Sequence, residues 1–532
     1  MEATTQNRSN VAMVIENAAP WLDMIGQRTS RYEALSAAVA LGFSVWLALF
    51  LYRLSSHPLA KFPGPRLATF SNLPYSLSFL GGRQPFDVLK LHARYGSVVR
   101  VAPNELSFDT SQSWKDIYGT KKDHETFIKS AFYDGGNFAD QGIHSIVSER
   151  DPGRHGEMRK ELSSAFSDRS LREQEHLVSE SIDLFVSQVG RYGKEAGGVN
   201  LTKWFNLMTF DVIGELAFGV SFEGLKTAET HSWVQTVLAS MGQASLADTL
   251  YRNPFLAKLF LLVNPGWMTK MREGSIKHEQ RTMDLVERRL NDASDRKDFM
   301  SFLLAGKETN EIMDSKSKVQ LAAHASDFVI AGSETTATAL AVVSYYLCKD
   351  RRLLKKLQDE VRSSFKSYDE INGNSTASLT YVKAVCLEAL RIFPPLPLGL
   401  PRVVPVQGGS VDGHQIPGGT IVSVNPLAAS LNSANFADPL KFDPSRWLEE
   451  NTGGIGEDRL EASQPFSFGP RNCLGRALAW LEMRTTLAKL HYRYDMELVN
   501  TEVDWLRDSQ MHLLWKKPDL FVRITRDRLA EM

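Results

Sequence analysis

Residues 466–475 read Phe-Ser-Phe-Gly-Pro-Arg-Asn-Cys-Leu-Gly, and a run of helix-forming residues continues from Arg476 to Leu490. This spacing places Cys473 at the opening of a helix. A helix N-terminus presents unpaired backbone N–H groups and a partial positive charge, which lower the pKa of a thiol and favour the thiolate. An anionic, hydrogen-bonded sulfur is the form of cysteine that ligates iron, so Cys473 is a candidate metal ligand.

The residues around Cys473 suit a bound planar ligand. Gly469 permits a tight turn ahead of the cysteine, and Gly475 lets a flat ligand approach the backbone, because neither residue carries a Cβ. Arg471 supplies a guanidinium that can pair with an acidic group on such a ligand. Two other roles for the cysteine stay open at this point, a buried structural residue and a nucleophile, although the sequence signals no base for a nucleophile.

These ten residues satisfy every position of the haem-binding signature of the cytochrome P450 family, Phe-x-x-Gly-x-Arg-x-Cys-x-Gly, so the chain resembles that family. The resemblance implies haem b as the cofactor, with Cys473 as the axial ligand of its iron. A thiolate ligand pushes electron density onto iron and favours cleavage of the oxygen–oxygen bond. The implied fold is mainly α with small β-sheets (α+β), preceded by one N-terminal transmembrane helix. Four further residues of the signature are expected beside the cofactor: Phe466, Gly469, Arg471 and Gly475.

A second segment, residues 331–336 (Ala-Gly-Ser-Glu-Thr-Thr), lies in the middle of a long predicted helix from about Val319 to Cys348 and looks like the family's oxygen-activating segment. A glycine and a threonine in this segment weaken the helix and widen it into a groove. The resemblance implies that Glu334 and Thr335 relay protons to dioxygen, as general acid catalysis requires. Taken alone, the Gly332-Ser333 pair would also fit the end of one helix and the cap of another.

Glu388 and Arg391 stand three residues apart on one predicted helix face, just before Phe393-Pro394-Pro395 stops the helix. Such pairs are common on protein surfaces, where each stabilises a helix by only about 0.2–0.5 kcal/mol. In the family the same pair is buried and joins an arginine from a later loop, which here is Arg446, with Ser445 before it where glutamate is common. We expect Glu388, Arg391 and Arg446 to support the haem pocket structurally and not to act in catalysis.

Three more residues match positions that contact the haem carboxylates in the family. Arg402 follows Leu400-Pro401, shortly after the Glu-x-x-Arg helix. His155 and Arg159 lie on a segment that reads Trp-x-x-x-Arg in many relatives, so His155 replaces the tryptophan and keeps a hydrogen-bond donor. A lone histidine or arginine on such a helix is more often solvated or structural, and these assignments therefore depend on the resemblance.

The composition is that of a globular protein with a large core, because 43% of the 532 residues are hydrophobic and 23% are charged. The 61 Lys and Arg residues balance 62 Asp and Glu residues. The chain therefore lacks the net positive field that draws proteins to phosphate backbones, and we expect no nucleic-acid partner. The three cysteines are too few and too far apart for a disulfide framework or a zinc site, and Cys348 and Cys386 are expected to be buried, inert thiols.

Residues 34–52, ALSAAVALGFSVWLALFLY, carry no charge and approach the roughly 20 residues that a helix needs to cross a bilayer. We expect four regions: a lumenal tail at 1–33, a transmembrane anchor helix at 34–52, a basic and proline-containing hinge at 53–66, and a haem-binding catalytic domain at 67–532. The alternative for the apolar run is a buried core helix. The positive-inside rule favours a cytosolic catalytic domain, which predicts a single-pass protein of the endoplasmic reticulum membrane with a lumenal sequon at Asn7.

The rest of the chain reads as mostly helical. A short hairpin is expected from Ser97–Val101 and Glu105–Phe108, and small β-hairpins are expected in the glycine-rich stretch 402–425. Residues 254–265 are apolar but too short to span a membrane, so they either rest in its interface or pack in the core. The predicted helices run approximately over residues 171–189, 277–290, 319–348, 353–365 and 382–393.

The resemblance implies a monooxygenase that uses dioxygen to oxidise an apolar small molecule, as in fungal secondary metabolism of polyketides or terpenoids. The sequence contains no flavin or nicotinamide motif, so the expected electron source is NADPH through NADPH–cytochrome P450 reductase, with cytochrome b5 as a further candidate donor and membrane lipid as a further partner. A basic face on the cysteine side would receive the reductase by charge complementarity. Its expected members are Arg154, Lys160, Arg471 and Arg476.

The walls of the substrate pocket are expected, by position in the family, around Phe127–Phe138, on the helix face near Ala323, Asp327 and Phe328, and around Leu396–Leu400 and Met511–Leu514. Two alternatives keep the haem but change the function. One is a rearrangement or peroxide-using enzyme that needs no reductase, and the other is a non-catalytic membrane haem carrier or sensor. The Glu334-Thr335 pair argues against both, because neither has a use for a complete oxygen-activating segment.

Overall fold

The computed structural model describes residues 33–45, 47–48, 51–120, 125–135, 138, 141–242, 244–263, 266–292, 296–304, 314–448 and 458–531. The chain divides into two compact units, Met1–Lys61 and Phe62–Met532. The boundary between them falls inside the predicted hinge at 53–66. The predicted lumenal tail, with its sequon at Asn7, lies outside the described residues except for its last position.

In the first unit, helix α1 (Glu33–Val45) is apolar and its residues are exposed. It is too short to cross a bilayer, and positions 46, 49 and 50 lie outside the described residues, so the predicted anchor at 34–52 stays a prediction. Among the described residues, the one helix long and apolar enough to span a membrane is α15 (Ser315–Lys349), and its apolar window is 72% buried. That burial identifies α15 as a core helix of the second unit.

The second unit is mostly helical, as predicted. Its described α-helices are α2 (Arg66–Phe70), α3 (Leu73–Leu80), α4 (Gln84–Tyr95), α5 (Ser111–Tyr118), α6 (Pro152–Ser163), α7 (Asp168–Tyr192), α8 (Leu201–Phe218), α9 (Gly224–Thr227), α10 (Ser232–Gly242), α11 (Ala244–Arg252), α12 (Pro254–Val263), α13 (Gly266–Leu290), α14 (Phe299–Leu304), α15, α16 (Arg351–Ser364), α17 (Thr380–Ile392), α18 (Pro426–Leu431), α19 (Arg476–Arg493) and α20 (Trp505–Asp508). All five helices predicted from apolar periodicity are present, as α7, α13, α15, α16 and α17. Helix α13 begins at Gly266, well before the predicted start.

The strands form small sheets. The largest has the order β1-β2-β8-β5-β3, and a second has the order β4-β12-β9. The predicted hairpin is present, with Val99 opposite Ser107 in the antiparallel pair β1 and β2, and β6 and β7 form a second hairpin within the glycine-rich stretch. The strands are β1 (Val98–Ala102), β2 (Glu105–Phe108), β3 (Ile128–Lys129), β4 (Val199–Asn200), β5 (Arg402–Val403), β6 (Gly409–Val411), β7 (His414–Ile416), β8 (Ile421–Val424), β9 (Tyr494–Leu498), β10 (Gln510–Met511), β11 (Trp515–Lys516) and β12 (Phe521–Asp527).

Helix α15 runs through the core and packs against α8, α13, α17 and α19. It is continuous through Gly332-Ser333, so the alternative in which two helices meet there is wrong. Its side chains are buried over most of the second half because neighbouring helices surround it. This central helix positions the segment that carries Glu334 and Thr335.

Helix α12 lies at the surface of the second unit. None of its residues is buried, and Phe255 and Leu262 are 82% and 84% exposed. The alternative in which this apolar stretch packs in the core is therefore wrong. An exposed apolar helix of this kind marks a contact with an apolar partner or a lipid interface.

Candidate active site

Cys473 lies on a loop that is held in place by backbone contacts. Its N–H donates to the carbonyl of Phe466 at 2.9 Å. Gly469 has φ +73°, and a Cβ there would come within 2.0 Å of the carbonyl oxygen of Tyr118. The close approach and the positive φ both require glycine, which gives a physical reason for the predicted turn ahead of the cysteine.

The local environment of Cys473 differs from the sequence expectation in one respect. Helix α19 begins at Arg476, so the cysteine precedes the helix and does not sit in its first turn. Burial raises the pKa of the Cys473 thiol, while a hydrogen bond from Gly475 and the charges of Arg159 and Arg476 act in the opposite direction. The predicted lowering of the thiol pKa by the helix alone is therefore wrong, because desolvation outweighs it.

Cys473 is nevertheless accessible, although protein atoms surround it. A Cβ at Gly475 would approach only the ring of Phe166, at 3.9 Å, so the backbone beside the cysteine is open on this side. These features leave room for a flat group against the Cys473 loop.

One face of α15 also borders open space. Between positions 322 and 345 of this otherwise buried helix, the residues that are not buried share a single side. Positions 327, 331 and 335 are four residues apart, position 330 follows 327 by three, and Gly332 lies at the edge, which is the pattern of one helical stripe. We call this set the α15 stripe; its members are Asp327, Ile330, Ala331, Gly332 and Thr335.

The two predicted proton-relay residues point to different surroundings. The hydroxyl of Thr335 donates to the carbonyl of Ala331 at 2.6 Å, which is the back-bonding expected of a groove in the helix. The carboxylate of Glu334 is buried, accepts from Asn206 at 2.9 Å and forms an ion pair with Lys517. No described hydrogen bond joins Glu334 to Thr335, so a relay between them requires a change of rotamer or a water.

A cluster of cationic side chains surrounds the Cys473 loop. Arg471 donates to the carbonyl oxygens of Glu149 and Arg150 at 2.7 and 2.8 Å. Burial, followed by the charge of Arg402, lowers the pKa of Arg471 to about 10. We call this set the cationic cluster; its members are Lys129, His155, Arg159, Arg402 and Arg471.

Lys129 and His155 of the cationic cluster experience the same repulsion from neighbouring positive charges. Burial, then Arg471 and Arg402, lowers the pKa of Lys129 to about 6. Burial and the cations Arg471, Lys129 and Arg159 lower the pKa of His155 to about 3. A buried place where positive charges depress the pKa of Lys129 and His155 in this way favours an anionic ligand.

Arg159 and Arg402 have specific partners. Arg159 donates to the backbone and side-chain oxygens of Asn472, at 2.8 and 2.5 Å, and so supports the loop beside Cys473. Arg402 is buried and donates to the hydroxyl of Tyr133 at 3.2 Å. Their predicted contacts with haem carboxylates remain predictions.

Glu388, Arg391 and Arg446 come together in the core. The Glu388 carboxylate accepts from Arg391 twice, each at 2.8 Å, and its Oε1 lies 3.4 Å from Nε of Arg446. The backbone N–H of Asp443 and the indole N–H of Trp447 donate to the same carboxylate, both at 2.9 Å. All three charged side chains are essentially inaccessible, so this pair is not one of the common surface pairs.

Sequence reasoning missed three residues of the site. Lys517 and Asn206 hold Glu334, and they come from separate parts of the chain, 183 and 128 residues away. Lys129 is an isolated lysine on a two-residue strand. A single charged residue in an irregular segment carries no periodic or motif signal, so only the fold brings these residues to the site.

Comparison with known proteins gives a consistent result. The family model "Cytochrome P450" matches residues 63–524. Cytochrome P450 monooxygenase ORF11 of Penicillium roqueforti is 51% identical over 468 residues, covering 87% of this chain and 95% of that protein. Cytochrome P450 monooxygenase BipB of Cochliobolus sativus is 40% identical, covering 89% and 94%. Cytochrome P450 monooxygenase BOT4 of Botryotinia fuckeliana is 42% identical, covering 91% and 90%.

A crystal structure of the cytochrome P450DA heme domain has the same fold. It aligns with a TM-score of 0.71 at 19% identity and covers 88% of this chain and 98% of that chain. At this level of identity the likeness concerns the fold alone.

Proposed function

Because the chain belongs to the cytochrome P450 family, as one of its monooxygenases, we propose that it binds haem b through Cys473 and oxidises an apolar small molecule with electrons from a separate reductase. The observation that carries this proposal is Cys473 itself, an accessible sulfur inside the fold, on a loop bordered by the cationic cluster. The relatives named above come from filamentous fungi, which supports a role in fungal secondary metabolism.

The residues present fit a haem. Cys473 would hold the iron, and a metal cation on the sulfur displaces its proton whatever the pKa of the free thiol. Arg402, Arg471 and His155 of the cationic cluster would bind the two carboxylates, since anions relieve the repulsion among these side chains. Gly469 allows the compact turn of the Cys473 loop, and Gly475 leaves the backbone open toward the flat ring. Phe466 would lie beside the ring. When bound, the haem supplies reductive activation of dioxygen and transfer of one oxygen atom.

The chain's own residues would supply the protons. Thr335 stands on the α15 stripe and bonds back to Ala331, so its hydroxyl lies at the edge of the groove. Glu334 would receive protons on its buried side, where Asn206 also borders a cavity of about 210 Å³. Rotation of Glu334 away from Lys517, or a bridging water, would carry the proton from the carboxyl to Thr335.

The electron donor would dock on the cysteine side. Arg154, Lys160 and Arg476 are exposed, whereas Arg471 points inward to backbone carbonyls and is removed from the predicted docking face. A groove of about 520 Å³ borders Leu474 and Arg476, next to Cys473. Reversing the charges of Arg154, Lys160 and Arg476 should slow reduction by the reductase and reduce its dependence on salt.

We place the protein on the endoplasmic reticulum membrane with its catalytic domain in the cytosol. The uncharged stretch at 34–52 supports an anchor, and the exposed apolar side chains of α12 support contact with lipid. The expected small-molecule substrate is apolar.

The test is the carbon monoxide spectrum of the reduced protein. The unaltered protein should show the red-shifted Soret band of a thiolate-ligated haem, and Cys473→Ser should lose it. Cys348→Ser is the matched control, because Cys348 is a partly buried thiol near the C-terminal end of α15, a different element from the Cys473 loop, and should leave the band unchanged. The haem-thiolate assignment is overturned if the unaltered protein lacks the band or the Cys473→Ser variant keeps it.

Turnover with labelled dioxygen, with and without reductase, separates the proposal from its alternatives. A monooxygenase incorporates one labelled atom only when reductase and NADPH are present. A rearrangement enzyme forms product without reductase, and a haem carrier forms none.

A further inference from the structure

Lys129 is a buried lysine that forms no ion pair with a carboxylate among the described residues. It is 5% exposed, and its ammonium donates to the carbonyl oxygens of Ile146 and Val147 at 2.9 and 2.7 Å. These carbonyls satisfy hydrogen bonds but carry no net charge. A buried charge is costly unless an opposite charge accompanies it. The fold therefore gives Lys129 hydrogen-bond acceptors without an adjacent counter-ion.

The charged groups that face Lys129 come from four other parts of the chain and favour its neutral form. After burial, the strongest effects on its pKa come from Arg471 on the Cys473 loop and Arg402 on β5, which lower it. Asp327 on α15 and Glu149, ahead of α6, raise the pKa by less. The balance brings the pKa of Lys129 to about 6, so most of the lysine is uncharged at neutral pH.

Two further titratable side chains lie beside Lys129, and neither is an anion. The ring centroid of Tyr133 is 5.2 Å from the Lys129 ammonium, and the hydroxyl of Tyr133 accepts from Arg402 at 3.2 Å. His155 on α6 is uncharged, because burial and nearby cations lower its pKa to about 3. The cationic cluster therefore contains no group that neutralises its positive charge.

Lys129 is the member of the cationic cluster whose charge can change near neutral pH. The arginines stay charged, since even the lowered pKa of Arg471 is about 10. A carboxylate within about 4–6 Å of a cation raises the pKa of that cation by about 1–3 units. A ligand with two carboxylates would therefore reverse the balance of charge and return Lys129 to its protonated form.

We propose that Lys129 is uncharged in the haem-free protein and takes up one proton from solvent when the two carboxylates of the haem enter the cationic cluster. This rests on the proposed function, because it takes haem as the anionic ligand. Below about pH 6 the lysine is charged with and without haem and attracts the carboxylates in full. Above that pH its attraction requires uptake of a proton, so its contribution to haem affinity falls as the pH rises.

The experiment measures the equilibrium partition of haem between the full-length haem-loaded protein, in lipid nanodiscs, and an excess of apomyoglobin. Absorption spectra distinguish the two haem proteins. At each pH, the haem affinity of the unaltered protein is divided by that of Lys129→Met, so groups common to both proteins cancel. Because the unaltered protein takes up one proton more, this ratio should fall about tenfold per pH unit, or about 100-fold from pH 6.5 to 8.5.

Lys129→Arg gives an independent measurement, which also decides if Lys129→Met does not fold. Arginine keeps its charge at every pH used and needs no proton to attract a carboxylate. The haem affinity of this variant, divided by that of the unaltered protein, should therefore rise about tenfold per pH unit over the same range.

The matched control is Lys489→Met. Lys489 is also 5% exposed, but it lies on α19 and forms an ion pair with Asp183 at 2.6 Å. Its charge is compensated by the protein itself, so the ratio of the unaltered protein to this variant should be the same at every pH. A ratio that falls as steeply as that of Lys129→Met would assign the effect to lost stability and overturn the proposal.

A constant ratio for Lys129→Met, or for Lys129→Arg, also overturns it, because the lysine would then keep one charge state with and without haem. The carbon monoxide spectrum of the same samples separates this failure from a failure of the proposed function. A protein without the red-shifted Soret band contradicts the haem-thiolate assignment. A normal band together with a constant ratio contradicts only the proton uptake.

Discussion

At the scale of single residues, Glu334 and Lys517 form a buried pair in which neither charge has access to bulk water. Their side chains are 6% and 4% exposed, and Lys517 also donates to Thr338 at 3.0 Å. Moving a charge out of water is costly, and removal of one partner leaves the other uncompensated. Such a pair contributes to stability while it keeps a carboxylate close to the proposed oxygen site.

We expect Lys517→Met to destabilise the protein by about 3–5 kcal/mol, because Glu334 is left as an unpaired buried carboxylate. The double variant with Glu334→Gln should recover most of this loss. Denaturant unfolding of the carbon monoxide complex measures both changes. Additive effects of the two substitutions would contradict a direct pair.

Gly469 allows a second residue-level prediction. Gly469→Ala should prevent formation of the Cys473 loop and abolish haem retention, since its Cβ would lie 2.0 Å from the Tyr118 carbonyl. Gly413→Ala is the control, because Gly413 has a similar φ of +76° but open space around the added Cβ. The control should lose only about 1 kcal/mol from backbone strain and retain haem. Equal haem content in the two variants would show that the close approach does not matter.

At the scale of elements, one buried carboxylate joins α17 to the loop at 442–447. Glu388 accepts hydrogen bonds from Arg391 on its own helix and from Asp443 N–H and the Trp447 indole on that loop, and it forms an ion pair with Arg446. The guanidinium of Arg391 extends the network to the carbonyls of Ser430, Pro439 and Lys441. The network therefore ties α17 to the end of α18 and to the segment at 439–447.

Glu388→Gln should lower the free energy of unfolding by about 3–5 kcal/mol, because it leaves the buried guanidinium of Arg391 without its counter-ion, while Arg446 keeps its ion pair with Asp458. Asp359→Asn provides a surface comparison, since Lys355 and Asp359 form an i,i+4 pair with exposures of 74% and 62%. That change should alter stability by less than about 0.5 kcal/mol. Thermal denaturation followed by haem absorbance distinguishes them, and similar shifts in both variants would refute a special role for the buried network.

At the scale of the whole molecule, several histidines are buried and held neutral. Burial lowers the pKa of His92, His278 and His324 to about 4, and that of His155 and His491 to about 3. Burial has the opposite effect on acids, raising the pKa of Asp327, Asp109 and Glu482 to about 6, 7 and 8. The two groups therefore respond to acid in opposite directions.

We expect the protein to lose stability as the pH falls from 6.5 to 4.5. In this range the five histidines bind protons only in the unfolded chain, which lowers stability, whereas the three acids bind protons in the folded chain first and raise it. Each proton bound differently changes the free energy of unfolding by about 1.4 kcal/mol per pH unit. Burial also raises the pKa of Asp211 and Asp248, which act with the acids, and lowers the pKa of His512 and Lys129, which act with the histidines, so the groups that destabilise the protein on acidification stay in the majority. A melting temperature that rises on acidification over this range would contradict the balance.

The sequence predicts those parts of the molecule that depend on local pattern. The Cys473 loop, the Glu388–Arg391 pair and the long helices follow from motif spacing or apolar periodicity, and the hairpin of β1 and β2 follows from its turn. The start of α19 and the partners of Glu334 depend on tertiary packing, which no local pattern encodes. The surface position of α12 was also undecided, because an apolar ten-residue helix has the same periodicity in a core and at a surface.

The α15 stripe contains a position that can be substituted without disturbing the packed core. Ile330 occupies a central helix yet borders open space, so exchanging it for another aliphatic residue disturbs little of the surrounding core. A mutation at position 330 can therefore change which substrate the enzyme accepts, without loss of the fold or of the iron ligand. The same site offers engineers a place to begin redesign.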